Sequence, residues 1–222
     1  GTGAEVTALD ARYLVRARRA AVADAAGTII AWDDFEGGST LAGRTAPSGQ
    51  PWATSGIEGI AGGRIVPSGV GSVTALLSLG SPLSGVISCT YSVPAGGVYY
   101  MRMRANSSAP SRWVDARVDV SSGQLRIAKT VDGTTTILAS ITLPAGTVGS
   151  VFRLSGMITN TAMTALLQDL AGRVMATVSY TFTTDEQTMF SGPEYVYSGF
   201  NHRCVTAGNT GWSDDFLIRS YA

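Results

Sequence analysis

Short runs of alternating apolar and polar residues, separated by clusters of Gly, Pro, Asn and Asp, fill the chain from Thr28 onward. Because successive side chains of a β-strand point to opposite faces, this alternation predicts half-buried strands and the clusters predict turns. Roughly a dozen strands with no helix between them indicate an antiparallel β-sandwich. The predicted strands are 29–35, 64–66, 73–79, 86–93, 97–104, 113–120, 124–130, 135–142, 150–158, 162–168, 173–182, 195–200 and 214–220.

Two segments depart from this pattern. Residues 4–26 are rich in Ala and Arg, contain no Pro and end at Gly27, which predicts an N-terminal α-helix. Its apolar stripe is thin, so this helix needs a partner surface in its own domain or in copies of itself. Residues 36–69 are rich in Gly, Ser, Thr and Pro and are predicted to form long surface loops. The domain prediction is a helical stalk or linker over 1–27 and a β-sandwich over 28–222.

Composition narrows the function classes. The 222 residues include 16 basic and 16 acidic side chains, and 15 of the basic ones are Arg, with Lys129 the exception. A net charge of zero without a basic run argues against nucleic-acid or anionic-membrane binding. No apolar stretch approaches the roughly 20 residues that a membrane-spanning helix needs, so we expect no membrane insertion. Cys89 and Cys204 leave two alternatives open, one disulfide or two free thiols.

A series of short segments carries a family resemblance over roughly residues 31–222. They resemble the concanavalin A-like (laminin G-like) jelly-roll domains of bacteriophage tail proteins and bacterial glycosidases. The segments are Trp32-Asp33-Asp34-Phe35-Glu36-Gly37, Leu41-Ala42-Gly43-Arg44, Ser48-Gly49-Gln50-Pro51-Trp52, Ile57-Glu58-Gly59-Ile60, Gly62-Gly63-Arg64 and Asp214-Asp215-Phe216. The resemblance implies an antiparallel two-sheet jelly-roll sandwich. An Ala-rich helix ahead of such a domain is similar to the stalk-to-head junction of a phage tail fibre.

The resemblance implies a receptor-binding protein of a phage tail, which mediates viral attachment by recognising a host cell-wall or surface glycan. We expect such a head to be a homotrimer, to belong to the virion and to act outside the cell. Two alternatives stay open: a structural virion module, such as a tail spacer or capsid decoration, and a carbohydrate-binding module of a secreted glycosidase.

Catalysis is not expected. Glycosidases that are similar in fold carry Glu-x-Asp-x-Glu or a close variant on one strand, where period-two spacing brings the carboxylates to one face. None of the five Glu residues here has a second acid two positions on, and Asp185 and Glu186 are adjacent. The single histidine, His202, is close to Cys204 but lacks the context of a cysteine nucleophile. We expect a non-enzymatic protein without an organic cofactor.

The first candidate site is the hairpin of strands 97–104 and 113–120. Alternation places two aromatic rings, three arginines and two aspartates on one outward face. Aromatic rings stack on sugar rings, and Arg and Asp bond to sugar hydroxyls, so this mixture favours sugar binding. A solvated sheet face with Arg–Asp pairs, or a trimer interface, are the alternatives. The predicted ligand-binding residues are Tyr100, Arg102, Arg104, Trp113, Asp115, Arg117 and Asp119.

Two weaker candidates lie elsewhere. The segment 195–212 is either a recognition loop or a set of aromatic residues that close the end of the core. Its candidate residues are Tyr195, Tyr197, Phe200, Asn201, His202, Arg203 and Trp212. The segments 32–35 and 212–216 are similar, and sandwiches commonly pair their first and last strands, so we expect these two segments to lie side by side. Asp33, Asp34, Asp214 and Asp215 then converge, and Asp34 and Asp215 become candidate ligands of a structural calcium ion. The alternative is that these aspartates bond to backbone amides at strand ends.

Overall fold

A computed structural model describes residues 27–56, 59–67, 70–94, 96–204 and 211–221. They form a jelly-roll sandwich of two antiparallel sheets, as the alternation and the resemblance predicted, and they add one short helix. The N-terminal helix predicted over 4–26 lies outside the described residues. The strands are β1 Thr28–Asp33, β2 Ala53–Gly56, β3 Gly59–Ile60, β4 Ile65–Val66, β5 Gly71–Ser78, β6 Gly85–Ser92, β7 Val98–Ala105, β8 Arg112–Asp119, β9 Gln124–Val131, β10 Thr134–Thr142, β11 Val151–Ile158, β12 Ala162–Gln168, β13 Val174–Thr181, β14 Tyr197–Cys204 and β15 Trp212–Ser220; the helix, α1, is Thr184–Phe190.

The first sheet, called sheet A here, runs β13-β12-β11-β6-β15-β4-β3, and β1 also pairs with β15. The first and last strands therefore lie side by side, from Thr28 opposite Ser220 to Asp33 opposite Phe216, which confirms the predicted pairing. The second sheet, sheet B, runs β10-β9-β8-β7-β14-β5-β2.

The core lies between the two sheets and takes alternate residues of each strand. From sheet B, Tyr99 and Met101 on β7 and Val114, Ala116 and Val118 on β8 are fully buried, as their parity predicted. From sheet A, a Cβ atom at Gly156 on β11 would lie 2.4 Å from the Cε of Met103. A residue without a side chain at this position therefore lets the two sheets approach each other.

The described part of the segment predicted as surface loops, 36–56 and 59–67, is less open than expected. Besides β4, which was predicted as a strand at 64–66, it contains β2 and β3, and Leu41, Ala46 and Trp52 are buried. The Trp52 ring packs edge-on against Phe216 and Phe200, with ring centres 5.1 and 5.7 Å away. The prediction failed here because the burial depends on partners at the other end of the chain.

The buried side chain of Asp33 anchors this segment through hydrogen bonds. It is fully buried, and its carboxylate accepts hydrogen bonds from Arg44 Nη2 at 2.8 Å, from Trp52 Nε1 at 2.8 Å and from the Phe35 amide at 2.7 Å. Asp33 of the Trp32-Asp33-Asp34-Phe35 motif thus fixes the positions of Arg44 and Trp52, which follow it in the sequence.

Helix α1 was not predicted. It begins with a capping box in which the Thr183 hydroxyl accepts from the Glu186 amide and the Glu186 carboxylate accepts from the Thr183 amide. Glu186 also accepts hydrogen bonds from Lys129 and Tyr180, which ties the helix to β9 and β13. At seven residues, α1 is too short to show a helical period in the sequence. No helix in these described ranges is long and apolar enough to cross a membrane.

Candidate binding face on sheet B

Six of the seven predicted ligand-binding residues lie together on the outer face of sheet B, which we call the arginine–aromatic face. They are Tyr100, Arg102, Trp113, Asp115, Arg117 and Asp119. The register of β7 and β8 places Tyr100 opposite Arg117 and Arg102 opposite Asp115. Alternation along two paired strands therefore predicted which residues share this face.

Arg104 is the exception, and its predicted position on this face was wrong. The pairing of β7 with β14 contains a bulge between Tyr197 and Gly199, and Arg104 has a positive φ of 49°. A bulge adds one residue to a strand and re-aims the side chain, so parity fails beyond it. The Arg104 side chain is 1% exposed and donates to Leu83 O, Phe190 O and Asn160 Oδ1.

Asp115 is the centre of the arginine–aromatic face. Its carboxylate accepts a hydrogen bond from Trp113 Nε1 at 2.9 Å and a two-pronged pair of bonds from Arg117. Arg117 also lies over the Tyr100 ring, with its Cζ atom 4.7 Å from the ring centre. Arg102 lies in the same way over Trp113, at 4.0 Å. The rings, guanidinium groups and carboxylate thus hold each other in fixed positions.

The face is more enclosed than a solvated hairpin. Asp115 is fully buried and Arg102 is 7% exposed, whereas Tyr100, Trp113 and Arg117 are partly exposed. Burial lowers the pKa of Arg102, although the nearby Asp115 opposes that shift. Burial also raises the pKa of Tyr100. Each ring has a guanidinium stacked on it and remains partly exposed.

Asp119 closes one end of the face. It accepts hydrogen bonds from Arg126 Nη1 at 2.8 Å, from Ser121 Oγ at 2.6 Å and from the Ser122 amide at 3.1 Å. Burial acts to raise the pKa of Asp119, but these bonds outweigh it and lower the pKa overall.

Three further residues belong to the face and were not assigned to it by the sequence. Arg126 on β9 lies opposite Arg117, and Asn201 on β14 lies opposite Tyr100, with Arg203 two residues further along β14. The alternation along β9 could have predicted that Arg126 lies on this face, because the tight turn at Ser121–Gly123 sets the register of the hairpin of β8 and β9. Asn201 and Arg203 had no local signal.

The fold separates the described residues of the segment 195–212, of which residues 205–210 lie outside the described ranges. Tyr195, Phe200 and His202 are buried, so the expectation that aromatic residues of this segment close the core is confirmed for them. His202 lies in β14, not in a loop, and its Nδ1 atom is 3.1 Å from Ser213 Oγ. Burial lowers the pKa of His202 to about 3. Tyr197 is partly exposed on β14, and Trp212 lies on sheet A, where Arg64 covers its ring at 4.0 Å.

The four aspartates at the paired strands are mostly engaged with arginines. Besides Asp33, which Arg44 binds, Asp214 lies 3.9 Å from Arg64 and Asp215 lies 4.0 Å from Arg153. The Asp34 carboxylate accepts from the Glu36 amide. No group of three or more potential metal ligands occurs among the residues that the structure describes. Calcium binding by Asp34 and Asp215 stays a prediction.

Cys89 is a buried free thiol that donates to Asp214 O.

Comparison with solved structures shows the fold. A carbohydrate-binding module, CBM66, of Bacillus subtilis superposes with a TM-score of 0.57 at 14% identity, over 76% of this chain and 95% of that chain. The CBM2 module of the evolved Dit of Lactobacillus casei BL23 phage J-1 gives 0.56 at 12% identity, over 89% and 97%. A β-glucanase of Bacillus licheniformis gives 0.55 at 9% identity, over 88% and 99%.

No family model matches the chain. No curated protein matches it either. The three structures share a sandwich fold with this chain and differ from it in more than four of every five residues. The chain therefore has the jelly-roll sandwich architecture that carbohydrate-binding modules and β-glucanases share.

Proposed function

We propose that this protein is a non-catalytic glycan-binding domain and that the arginine–aromatic face is its binding site. The observation that carries the proposal is the fixed arrangement around Asp115, which orders two aromatic rings and two arginines before a ligand arrives. Such ordering reduces the entropy lost on binding, which otherwise costs about 0.5–1.5 kcal/mol for each flexible side chain. The fold of the two carbohydrate-binding modules supports the proposal.

The absence of catalysis is part of the same proposal. The strands of sheet B contain only two acidic residues, Asp115 and Asp119, and both carboxylates are bound by arginines. A general acid must hold a proton near neutral pH, whereas the pKa of Asp119 lies below its ordinary value. Binding without bond cleavage is the activity that this arrangement favours.

Replacing Trp113 by alanine should weaken glycan binding about tenfold or more, because it removes a ring, the surface on which Arg102 rests and a donor to Asp115. Isothermal titration with host-wall polysaccharides and a panel of neutral and charged oligosaccharides measures the effect. Trp212→Ala is a matched control, since Trp212 is also partly exposed and covered by an arginine at 4.0 Å, but on sheet A. Thermal melts of both variants test whether they remain folded.

Two results would contradict the proposal in different ways. If the wild-type protein binds none of the polysaccharides, glycan binding itself is refuted. If Trp113→Ala and Trp212→Ala bind as well as the wild type, the protein binds glycans at a different place.

We further propose that the domain is a receptor-binding part of a phage tail, exposed on the virion and acting outside the cell as a homotrimer. The family resemblance and the similar fold of a module from a phage Dit support this role. Three weak sites on one stalk would raise the apparent affinity by about 10²–10⁴-fold without a new contact. Light scattering that finds a monomer at micromolar concentration would refute the trimer.

The folds of CBM66 and the β-glucanase favour a second candidate, a module of a secreted glycosidase.

A further inference from the structure

The arginine–aromatic face carries more positive than negative charge. The residues on it include four arginines, Arg102, Arg117, Arg126 and Arg203, against two aspartates. The strands of sheet B contain no other acidic residue that could balance them. In a chain whose formal net charge is zero, this imbalance is local to one surface.

Two of these four arginines form hydrogen-bonded ion pairs with the aspartates of the face, and the other two do not. Asp115 binds Arg117, and Asp119 binds Arg126. Arg102 and Arg203 form no ion pair with any residue in the described ranges. Arg203 is exposed, so water solvates its charge at little cost. Arg102 is 7% exposed and does not have that compensation.

Arg102 is therefore a nearly buried cation with a hydrogen-bond donor, its Nε atom, that no described residue accepts. Its Nε atom has no hydrogen-bond partner among the described residues, and the adjacent Asp115 carboxylate is occupied by Trp113 and Arg117. A buried donor without a partner is costly, and a guanidinium matches the geometry of a carboxylate or phosphate with two parallel bonds. The Trp113 ring holds the group in place for such a pair.

A second unused polar atom lies nearby. Asn201 on β14 is 3% exposed; its Nδ2 donates to Thr74 Oγ1 at 2.6 Å, but its Oδ1 has no partner in the part of the chain that the structure describes. Gly199, two residues before it, lies opposite Arg102 and places no side chain beside the guanidinium. The face therefore offers a cationic donor and a neutral acceptor on adjacent strands.

We propose that the glycan bound by the arginine–aromatic face is anionic, with Arg102 forming a bidentate pair with its carboxylate or phosphate group. Asn201 Oδ1 accepts a hydrogen bond from a neighbouring sugar hydroxyl. This inference rests on the proposed glycan-binding function and specifies the chemistry of the ligand.

The test compares three probes of known charge. They are an oligogalacturonate, its fully methyl-esterified and hence neutral form, and an oligosaccharide joined by phosphodiester groups. We expect the wild type to bind an anionic probe about tenfold or more tightly than the neutral ester, with an affinity that falls as salt rises. The carboxylate and phosphodiester probes distinguish the two sources of anionic charge.

Arg102→Gln should remove the preference for anionic probes, so that the variant binds the anionic probes and the neutral ester with affinities within about twofold of each other. Arg102→Lys should retain part of the preference, because it keeps the charge but loses the fork. Arg112→Gln is the matched control: it removes the same charge from an exposed pair with Asp132 at the end of β8, and should keep the full preference.

The outcomes separate this inference from the proposed function. If the neutral ester binds as tightly as both anionic probes and Trp113→Ala abolishes that binding, the ligand is a neutral glycan and the anionic inference is wrong. If Arg102→Gln keeps the preference for anionic probes while it remains folded, Arg102 does not bind the anion. If no probe and no wall polysaccharide binds, the glycan-binding function itself fails.

Discussion

Replacing Asp33 by alanine should lower the free energy of unfolding by about 3–5 kcal/mol. The substitution removes a fully buried carboxylate that binds the Arg44 guanidinium, the Trp52 indole and the Phe35 amide. All three donors would be left without that acceptor, and an arginine would lose the countercharge that allows its partial burial. Urea denaturation followed by tryptophan fluorescence measures the change.

Asp34→Ala is the control for this prediction. Asp34 is the next residue, is partly exposed and accepts a longer, 3.3 Å bond from the exposed Glu36 amide. We expect it to cost less than about 1 kcal/mol, as substitutions of exposed polar residues usually do. Equal losses in the two variants would mean that Asp33 is not the anchor of the segment that follows it.

Stability should fall as the pH drops below about 6.5, before most carboxylates titrate. The folded protein holds the pKa of His202 at about 3 because the ring is buried, whereas its ordinary value is 6.5. Between these values the unfolded chain binds a proton that the folded chain does not, so acid favours unfolding. The limiting slope for one group is about 1.4 kcal/mol per pH unit. Several carboxylates with lowered pKa values, such as Asp119 and Glu186, add to the loss at lower pH.

The measurement compares the wild type with His202→Gln in urea denaturation at a series of pH values from 6.5 to 5. His202 is the only histidine in the chain, so the variant should lose most of the pH dependence in this window. It will also start from a lower stability, since the ring packs against Tyr99 at 4.7 Å and Tyr91 at 6.3 Å. The same slope in both proteins would show that His202 is not the group responsible.

Alternation predicted most of the sandwich because each long strand buries one face. β6 to β13 lie within two residues of their predicted positions, and the pairing of β1 with β15 was anticipated. β2 and β3, of four and two residues, were missed because they lie in a segment rich in Gly, Ser, Thr and Pro, a composition that indicated loops. The signal for α1 was present in the spacing of Thr183 and Glu186, which is that of a capping box.

The candidate site was predictable only where it depends on adjacent strands. Parity along β7 and β8 identified six residues of the face, but it assumes an unbroken ladder and therefore misplaced Arg104, which lies at a bulge. Asn201 and Arg203 reach the face through the pairing of β14 with β7, which joins residues about 100 positions apart in the sequence. No local sequence pattern encodes the register between two strands so far apart in the chain. The alternation of apolar and polar residues also does not show how deeply the outer face of a sheet is buried.

The positions of β14 and β15 have a consequence for synthesis of the chain. β14 lies between β7 and β5 in sheet B, and β15 joins β6 to β1 and β4 in sheet A, so each sheet is completed by one of the last two described strands. A chain growing on the ribosome exposes unpaired edges of β7, β5, β6 and β1 until residue 220 has emerged. Such edges pair readily with other chains. Nascent copies held close together on one messenger RNA are therefore at risk of wrong pairing, and translation that stalls before residue 197 would release a chain with two open sheets.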